Sequence, residues 1–566
     1  MERNAIIATA LVIVILLGYQ WYLSRYEATQ PEAPSSAGKA APPAAPTPGP
    51  PAATAPAPTP APRASMVSPV KPQGYTPTAQ VVSSPKEVVV DTPLVHAVFT
   101  TAGARAKSWQ LKHYRMDNGS PVDLVGAPDT TGPGALAAWA DPEQIDGLYQ
   151  VDVTGLELTA EKPTGVLTFS QVSASGVQLE KQLTFEATKY QVAVVVRIRN
   201  LAAAGDAPLE TRLAWGPGLR NGHDKRNALQ SPTFWLDGKR HQEDIAKLPG
   251  EKALGGQVAW AAVQDSYFAA ALLPKEAGLQ AFVQKGPHDQ PIIGLATAKQ
   301  GLAPGGQAAL RAQFFAGPRD VDVLKSVGQD LDQLVDLGWF AFLARPALWL
   351  LKLLYGFIGN YGVAIIVVTI LQKVAFYPLT TKSMKSMQAM QALQPKVAAL
   401  QERFKNNPQK KQEETMALYR KYGVNPMGGC LPMLVQIPIF IALYNALSSS
   451  VEMWQAHFLW IRDLTQPDSL FTMRLWGPEP YNVGNLLGLL MGISMFVQQK
   501  MSPTTGDPRQ AQMMLWLMPI LFTFMFWNFP SGLVLYWFVN NLLQVGQQWL
   551  INRKPSRPAA PDPQPV

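Results

Sequence analysis

The chain has 566 residues, 48 Lys+Arg against 40 Asp+Glu, and a formal net charge of +8. Only 16% of its residues are charged and 47% are hydrophobic, much of that in clusters, which identifies a membrane protein with room for two or more domains. Its single cysteine, Cys430, excludes an internal disulfide framework and any multi-cysteine metal site, and is expected to be a small apolar residue in a helix.

The first predicted element is an uncleaved transmembrane anchor, 1–24. Its apolar run Ala5 to Leu23 is long enough to cross a bilayer, and it ends in the aromatic group Tyr19, Trp21 and Tyr22 rather than in a cleavage site. Segment 25–86 is a Pro/Ala-rich linker that cannot bury a core. Segment 87–320 changes character. Short alternating runs such as Val88–Val90, Leu94–Phe99, Leu148–Val153, Gln191–Ile198 and Gln280–Val283 are separated by Gly, Pro, Asn and Asp, and predict an antiparallel β-sandwich. Between Lys86 and Asp320 there are 23 Lys+Arg against 24 Asp+Glu, so this region carries no basic footprint for nucleic acid. His96, His113, His223, His241 and His288 have no metal-ligand spacing, and the proximity of Asp224 and Glu243 to two of them is no catalytic pattern.

Segment 321–358 is rich in Trp and Leu, is broken by Pro346 and carries Arg345 and Lys352. It reads as an amphipathic interfacial helix. A transmembrane helix follows at 359–379, with Pro378 closing its far end. Segment 380–426 is a basic helical hairpin with its turn at Asn406-Asn407-Pro408. From Lys382 to Pro426 it holds nine Lys+Arg against three Glu, a net +6. Its first arm carries the stripe Met384, Met387, Met390, Leu393, Val397 and Leu400, which either meets an apolar partner or packs on the second arm or the membrane. Four further spans are predicted at 427–448, 483–499, 511–529 and 531–551. They are joined by an acidic loop at 449–482 and a short polar loop at 500–510, and followed by a tail at 552–566. Positive charge gathers on the hairpin, the Lys500/Arg509 loop and the Arg553/Lys554 tail. This predicts a cytoplasmic location for those segments and for both termini, with the sandwich and the 449–482 loop outside.

Polar residues recur inside the spans. Gln372 and Lys373 lie three and four residues beyond Thr369, on the same side of a helix. A lysine in hydrocarbon is costly, so Lys373 either snorkels to the nearby boundary or faces a wet cavity. Gln436 lies in the third span. In the sixth, Asn540 and Gln544 share a face with Trp537, and Tyr536 adds a hydroxyl. Singly, such residues are ordinary interhelical hydrogen bonds; together they line a hydrophilic cavity. No acidic partner for a proton relay occurs between Val363 and Tyr377 or in the last three spans, and there is no Walker motif or nucleophile–His–Asp pattern. These absences count against the rival readings of a coupled solute transporter and of an enzyme. No cofactor site is expected. A carbohydrate-binding role for the sandwich remains a further alternative.

The motifs Phe376-Tyr377-Pro378-Leu379-Thr380, Leu393-Gln394-Pro395-Lys396, Asn425-Pro426-Met427-Gly428-Gly429-Cys430-Leu431-Pro432, Gln436-Ile437-Pro438-Ile439-Phe440, Lys500-Met501-Ser502-Pro503 and Phe529-Pro530-Ser531-Gly532-Leu533-Val534-Leu535-Tyr536 are spread across residues 339–554. Together they closely resemble the YidC/Oxa/Alb family of membrane insertases. The anchor, linker and sandwich resemble its Gram-negative branch. The resemblance implies an α-helical bundle of five insertase helices plus the anchor, with an all-β periplasmic supersandwich, in the inner membrane. It implies a chaperone and insertase of membrane proteins, acting alone or with the Sec translocon through a groove open to cytoplasm and lipid. The implied partners are nascent membrane proteins, the Sec translocon with its accessory subunits, the ribosome and anionic lipids, with no specific nucleic-acid recognition. The family's groove cation, usually Arg, falls on Lys373. Thr369 and Gln436 match groove positions, and Trp537 stands where the family has a second tyrosine. Gln372, Tyr536 and Asn540 complete the candidate groove, and Met384, Met387 and Met390 the candidate hairpin contact.

Overall fold

A computed structural model describes residues 84–116, 118–126, 132–202, 207–220, 230–405, 407–424, 431–448, 450–470, 472–473, 481–482, 484–501 and 508–553. The expected anchor, nearly all of the linker, His223, Asp224, Cys430 and the tail beyond Arg553 lie outside those residues.

The sandwich is built on a nine-stranded antiparallel sheet. In spatial order its strands are Lys239–Gln242, Ser231–Leu236, Val258–Gln264, Phe268–Pro274, Gln307–Pro318, Gln191–Asn200, Val177–Glu186, Thr164–Val172 and Gln150–Val151. Two five-stranded sheets share its core. Trp109 of one meets Phe314 of the large sheet edge-on at 5.3 Å, and Trp215 of the other stacks on the same ring at 5.0 Å. The period-2 alternation fixes the register: along Val177–Glu186, residues 177, 179, 181, 183 and 185 point inward. Two expectations change. The sandwich is not wholly antiparallel, because Glu87–Asp91 pairs in parallel with Gly155–Glu157. The expected strand at 148–153 shrinks to Gln150–Val151, with Leu148 held only by an isolated bridge to Ala102.

One inward position of Val177–Glu186 is a lysine. Lys181 is fully buried and its ammonium donates to the carbonyls of Ala104 (2.5 Å) and Leu136. No carboxylate among the described residues joins it, and burial pushes its pKa down to about 7.

The helices begin where the large sheet ends. Asp320 caps α1 (Val321–Val327) by accepting from the amides of Asp322 and Val323. A 3₁₀ turn, Leu331–Leu334, separates α1 from α2 (Ala341–Ile358), so the expected single interfacial helix is two helices and a turn. The bundle comprises α3 (Tyr361–Ala392), α6 (Leu431–Ser448), α7 (Leu486–Met501), α8 (Pro508–Phe526) and α9 (Ser531–Asn552). The hairpin contributes α4 (Gln394–Arg403) and α5 (Pro408–Lys421).

α3 corrects a second boundary. Pro378 does not end it; the helix runs on through Met384 to Ala392, 32 residues or about 48 Å. Pro378 lacks the amide that would serve the Val374 carbonyl four residues back. The hydroxyl of Thr380 bonds back to the carbonyls of Phe376 and Tyr377, both at 3.1 Å, and ties α3 to α9 through Gln547. The break comes instead at Leu393, just before the Gln394-Pro395 start of α4.

Side-chain pairs fix the helix directions. Gln372 meets Tyr536, Lys373 meets Gln544, Thr380 meets Gln547 and Gln388 meets Asn552, so α3 and α9 run parallel. Asn541 donates to Ser494 and Gln548 to the Met501 carbonyl, so α7 runs with them. α8 runs back, since its C-terminal end meets the start of α7 through Asn485 and the Trp527 carbonyl. The sandwich end of the bundle therefore carries the loop residues 450–470, 484–485 and 527–530, and the hairpin extends from the opposite end. Outward faces are apolar: Val374 and Tyr377 on α3, Ile493 on α7, Trp516, Ile520 and Phe524 on α8, and Trp549 and Leu550 on α9 are exposed, as lipid-facing surfaces require.

α2 and α3 are the two described helices long and apolar enough to cross a membrane. α2 carries ion pairs that a span does not. Lys352, in its middle, lies within 3.1 Å of carboxylate oxygens of Asp320, Asp322 and Glu452. Three carboxylates around its lysine are unfavourable at a bilayer centre, and Phe342, Trp349 and Phe357 of α2 are exposed.

Candidate functional site

The polar residues of the bundle form layers between α3 and its neighbours rather than one cluster. In the layer nearest the sandwich, the Gln372 amide donates to the Tyr536 hydroxyl at 3.2 Å, and the Gln436 amide of α6 donates to the same oxygen. Tyr536 is 1% exposed, so this hydroxyl is a buried acceptor shared by three helices.

The next layer holds the cation. The Lys373 ammonium donates to Gln544 Oε1 at 2.5 Å. α3, α7, α8, α9 and the described part of α6 contain no Asp or Glu, so a neutral amide, not a carboxylate, faces this charge. Lys373 itself is half-buried, held by α9 yet not sealed away. A third layer joins Thr380 and Thr381 to Gln547, at 2.9 and 3.1 Å.

Not every expected residue joins these layers. Thr369 is fully buried and its hydroxyl donates to the Ile365 carbonyl of its own helix at 2.7 Å, so it is satisfied locally. Trp537 does not sit with the polar residues. Its ring meets Phe440 edge-on at 4.9 Å and Phe526 at 5.1 Å, in an aromatic cluster between α6, α8 and α9. Asn540 lies one turn below Tyr536, and its buried Oδ1 has no hydrogen-bond partner among the described residues. On the hairpin side, Met384 and Met390 are buried and only Met387 is half-buried, so the methionine stripe is largely internal.

Gln544 and Gln547 carry more of the site than the sequence alone assigned them. The available signal was spacing: Tyr536, Asn540, Gln544 and Gln547 fall at i, i+4, i+8 and i+11, one continuous polar stripe on α9 facing α3.

Chemically, the arrangement is a polar seam through an apolar bundle in which, among the described residues, the Lys373 cation has no acid to exchange protons with it. Among the described residues no three His, Cys, Asp or Glu side chains gather as a metal site.

Comparison with known proteins assigns the lineage. A family model described as the 60Kd inner membrane protein matches residues 353–558, and one described as the YidC periplasmic domain matches 87–350. The membrane protein insertase YidC of Syntrophus aciditrophicus is 37% identical over 98% of this chain and 100% of its own. The chain belongs to the YidC family. The relative of the same name from Pelobacter propionicus is 36% identical over 98% of this chain and 99% of its own. A solved structure, an active YidC insertase with its first transmembrane domain resolved, is 19% identical, with a TM-score of 0.35, covering 82% of this chain and 92% of that one. The two family models divide this YidC-family chain between Leu350 and Leu353, inside α2, the helix that joins the sandwich to the bundle.

Proposed function

We propose that the chain inserts membrane proteins by drawing a polar segment of the substrate into the seam between α3 and α9, with Lys373 as the attracting charge. The observation that carries this reading is the Lys373 ammonium inside the bundle with, among the described residues, only the Gln544 amide to answer it. An unneutralised cation in a low-dielectric surround attracts an acidic or polar segment far more strongly than it would in water. The segment then crosses only part of the bilayer, and its apolar neighbour slides into lipid past the exposed faces of α3 and α8, where burial from water drives the step. The chain performs this without catalytic chemistry of its own.

The basic hairpin and the Lys500/Arg553 end face the cytoplasm in this reading, where their charge suits a ribosome or an anionic leaflet; the sandwich is periplasmic. Cooperation with the Sec translocon is part of the same proposal. The test compares Lys373→Glu and Lys373→Arg with the unmodified chain in proteoliposomes. We expect Lys373→Glu to impair insertion of substrates whose translocated segment is acidic, and Lys373→Arg to be tolerated. Equal activity of all three forms overturns the reading.

A further inference from the structure

We infer that Gln544 is a positioning residue for substrate charge: it parks the Lys373 ammonium between substrates and yields it to the carboxylate of an entering acidic segment. The inference rests on the groove reading above.

The geometry is specific. Of the polar stripe on α9, Tyr536 is engaged by Gln372 and Gln436, and Gln547 by Thr380 and Thr381. Gln544 alone of these meets the cation, at 2.5 Å. An ammonium carries three donors in rotatable array, so a single amide oxygen leaves it capacity for another acceptor. The choice of an amide matters. A carboxylate at this position would neutralise Lys373 and compete directly with substrate acids. An apolar residue would leave a long, flexible side chain free to swing toward the boundary by Tyr377. An amide lies between: strong enough to hold the ammonium in one place, weaker than the charge-assisted bond a carboxylate offers. Exchange therefore runs downhill for an acidic segment and not for a neutral one. Position 544 thus sets how strongly the groove prefers acidic substrates, because the holding contact subtracts from the apparent affinity of whatever replaces it.

The experiment measures, in proteoliposomes, the ratio of insertion for two otherwise identical substrates whose translocated segment is acidic or neutral. It compares the full chain, Gln544→Glu, Gln544→Met and Lys373→Gln. Gln544→Glu places a fixed carboxylate on Lys373, and the ratio should fall by about tenfold, the scale of one charge-assisted contact. Gln544→Met removes the competing acceptor at nearly constant volume, so the ratio should hold or rise. A residue that merely knits α3 to α9 would move both substrates together in both variants, leaving the ratio flat. A flat ratio for both Gln544 variants with a reduced ratio for Lys373→Gln overturns the role of Gln544 and leaves the groove reading standing. A flat ratio for Lys373→Gln as well overturns the groove reading itself. Photocrosslinking from a photoreactive residue placed beside the acidic residues of a ribosome-bound segment leaves Lys373 in place and provides a readout independent of insertion yield: adducts to the α3–α9 seam should decrease in Gln544→Glu, and undiminished adducts overturn the inference.

Discussion

Lys352 on α2 reaches Glu452 at 2.6 Å, joining that helix to the loop that follows α6. Lys352 also meets Asp320, the N-cap of α1 at the exit of the sandwich, at 3.1 Å. One ammonium thus holds together the three segments that enter the junction between sandwich and bundle. Alongside it, Trp454 packs on Tyr267 at 4.6 Å and donates to the Arg115 carbonyl, seating the same loop on the sandwich.

Lys352→Met should destabilise this junction by about 2–4 kcal/mol, because it leaves the mostly buried Asp320 and Glu452 carboxylates facing each other. The Asp322 arm, largely exposed, adds little. Limited proteolysis at the 450–460 loop in detergent checks this; a further Glu452→Gln change should restore part of the lost protection. Acid should act through the same cluster. Burial alone would raise the Asp320 carboxyl, but the Lys352 ammonium and the first amides of α1 hold it below its ordinary value. A depressed carboxylate contributes stability that is present in full above about pH 4 and is lost as pH falls through the lowered value.

Lys181 predicts a slope of the same sign, stability rising with pH, in a different window. Its folded-state pKa lies near 7, below the ordinary lysine value of 10.5. Between those values the unfolded chain binds a proton that the folded site refuses. The sandwich should therefore gain stability as pH rises from about 7 toward 10, by at most about 1.4 kcal/mol per pH unit. Hydrogen exchange along Val177–Glu186, corrected for the intrinsic pH dependence, reads this directly. Lys181→Met should flatten the dependence; a slope unchanged in that variant would exclude Lys181 as its source.

Much of this architecture was legible in sequence, and the exceptions have physical causes. Alternation over Gln191–Ile198 and apolar length over Val363–Val368 are local signals, and both elements form where expected. Pro378 misled because proline usually stops a helix, whereas here α3 continues through it to Ala392 with Pro378 exposed on its surface. Lys352 read as an ordinary charge on an amphipathic helix, since its carboxylates come from segments about 30 residues before it and 100 after it. In the bundle, the cation at Lys373 stood out as an anomaly, but which polar residue would face it did not. That depends on the register of α3 against α9, a relation between residues more than 160 apart.

Tyr536→Phe should cost about 1–2 kcal/mol and loosen the upper layer of the seam. It removes the one acceptor shared by the Gln372 and Gln436 amides while leaving the ring in place. Thermal unfolding of the detergent-solubilised chain measures the loss. Gln436→Leu in the Tyr536→Phe background should cost less than it does alone, because the two changes remove the same contact. Strict additivity would mean that Gln436 and Tyr536 act independently.

The hairpin gives a positional prediction. If the methionine stripe meets substrate, a photoreactive residue along it should crosslink to a ribosome-bound nascent chain wherever the side chain is accessible. Met384 and Met390 are buried, while Met387, between them, is half-buried. Gln388 beside it bonds Asn552 at the end of α9, so this turn of α3 is fixed against the bundle rather than free to roll. A rigid helix presents only its open face to a partner, so nascent-chain adducts should come from position 387, with positions 384 and 390 yielding adducts within the chain itself. Equal nascent-chain adducts from all three positions would require α3 to rotate or separate from α9 during insertion. Adducts from none of them would assign the stripe wholly to internal packing, leaving substrate capture to the Lys373 seam alone.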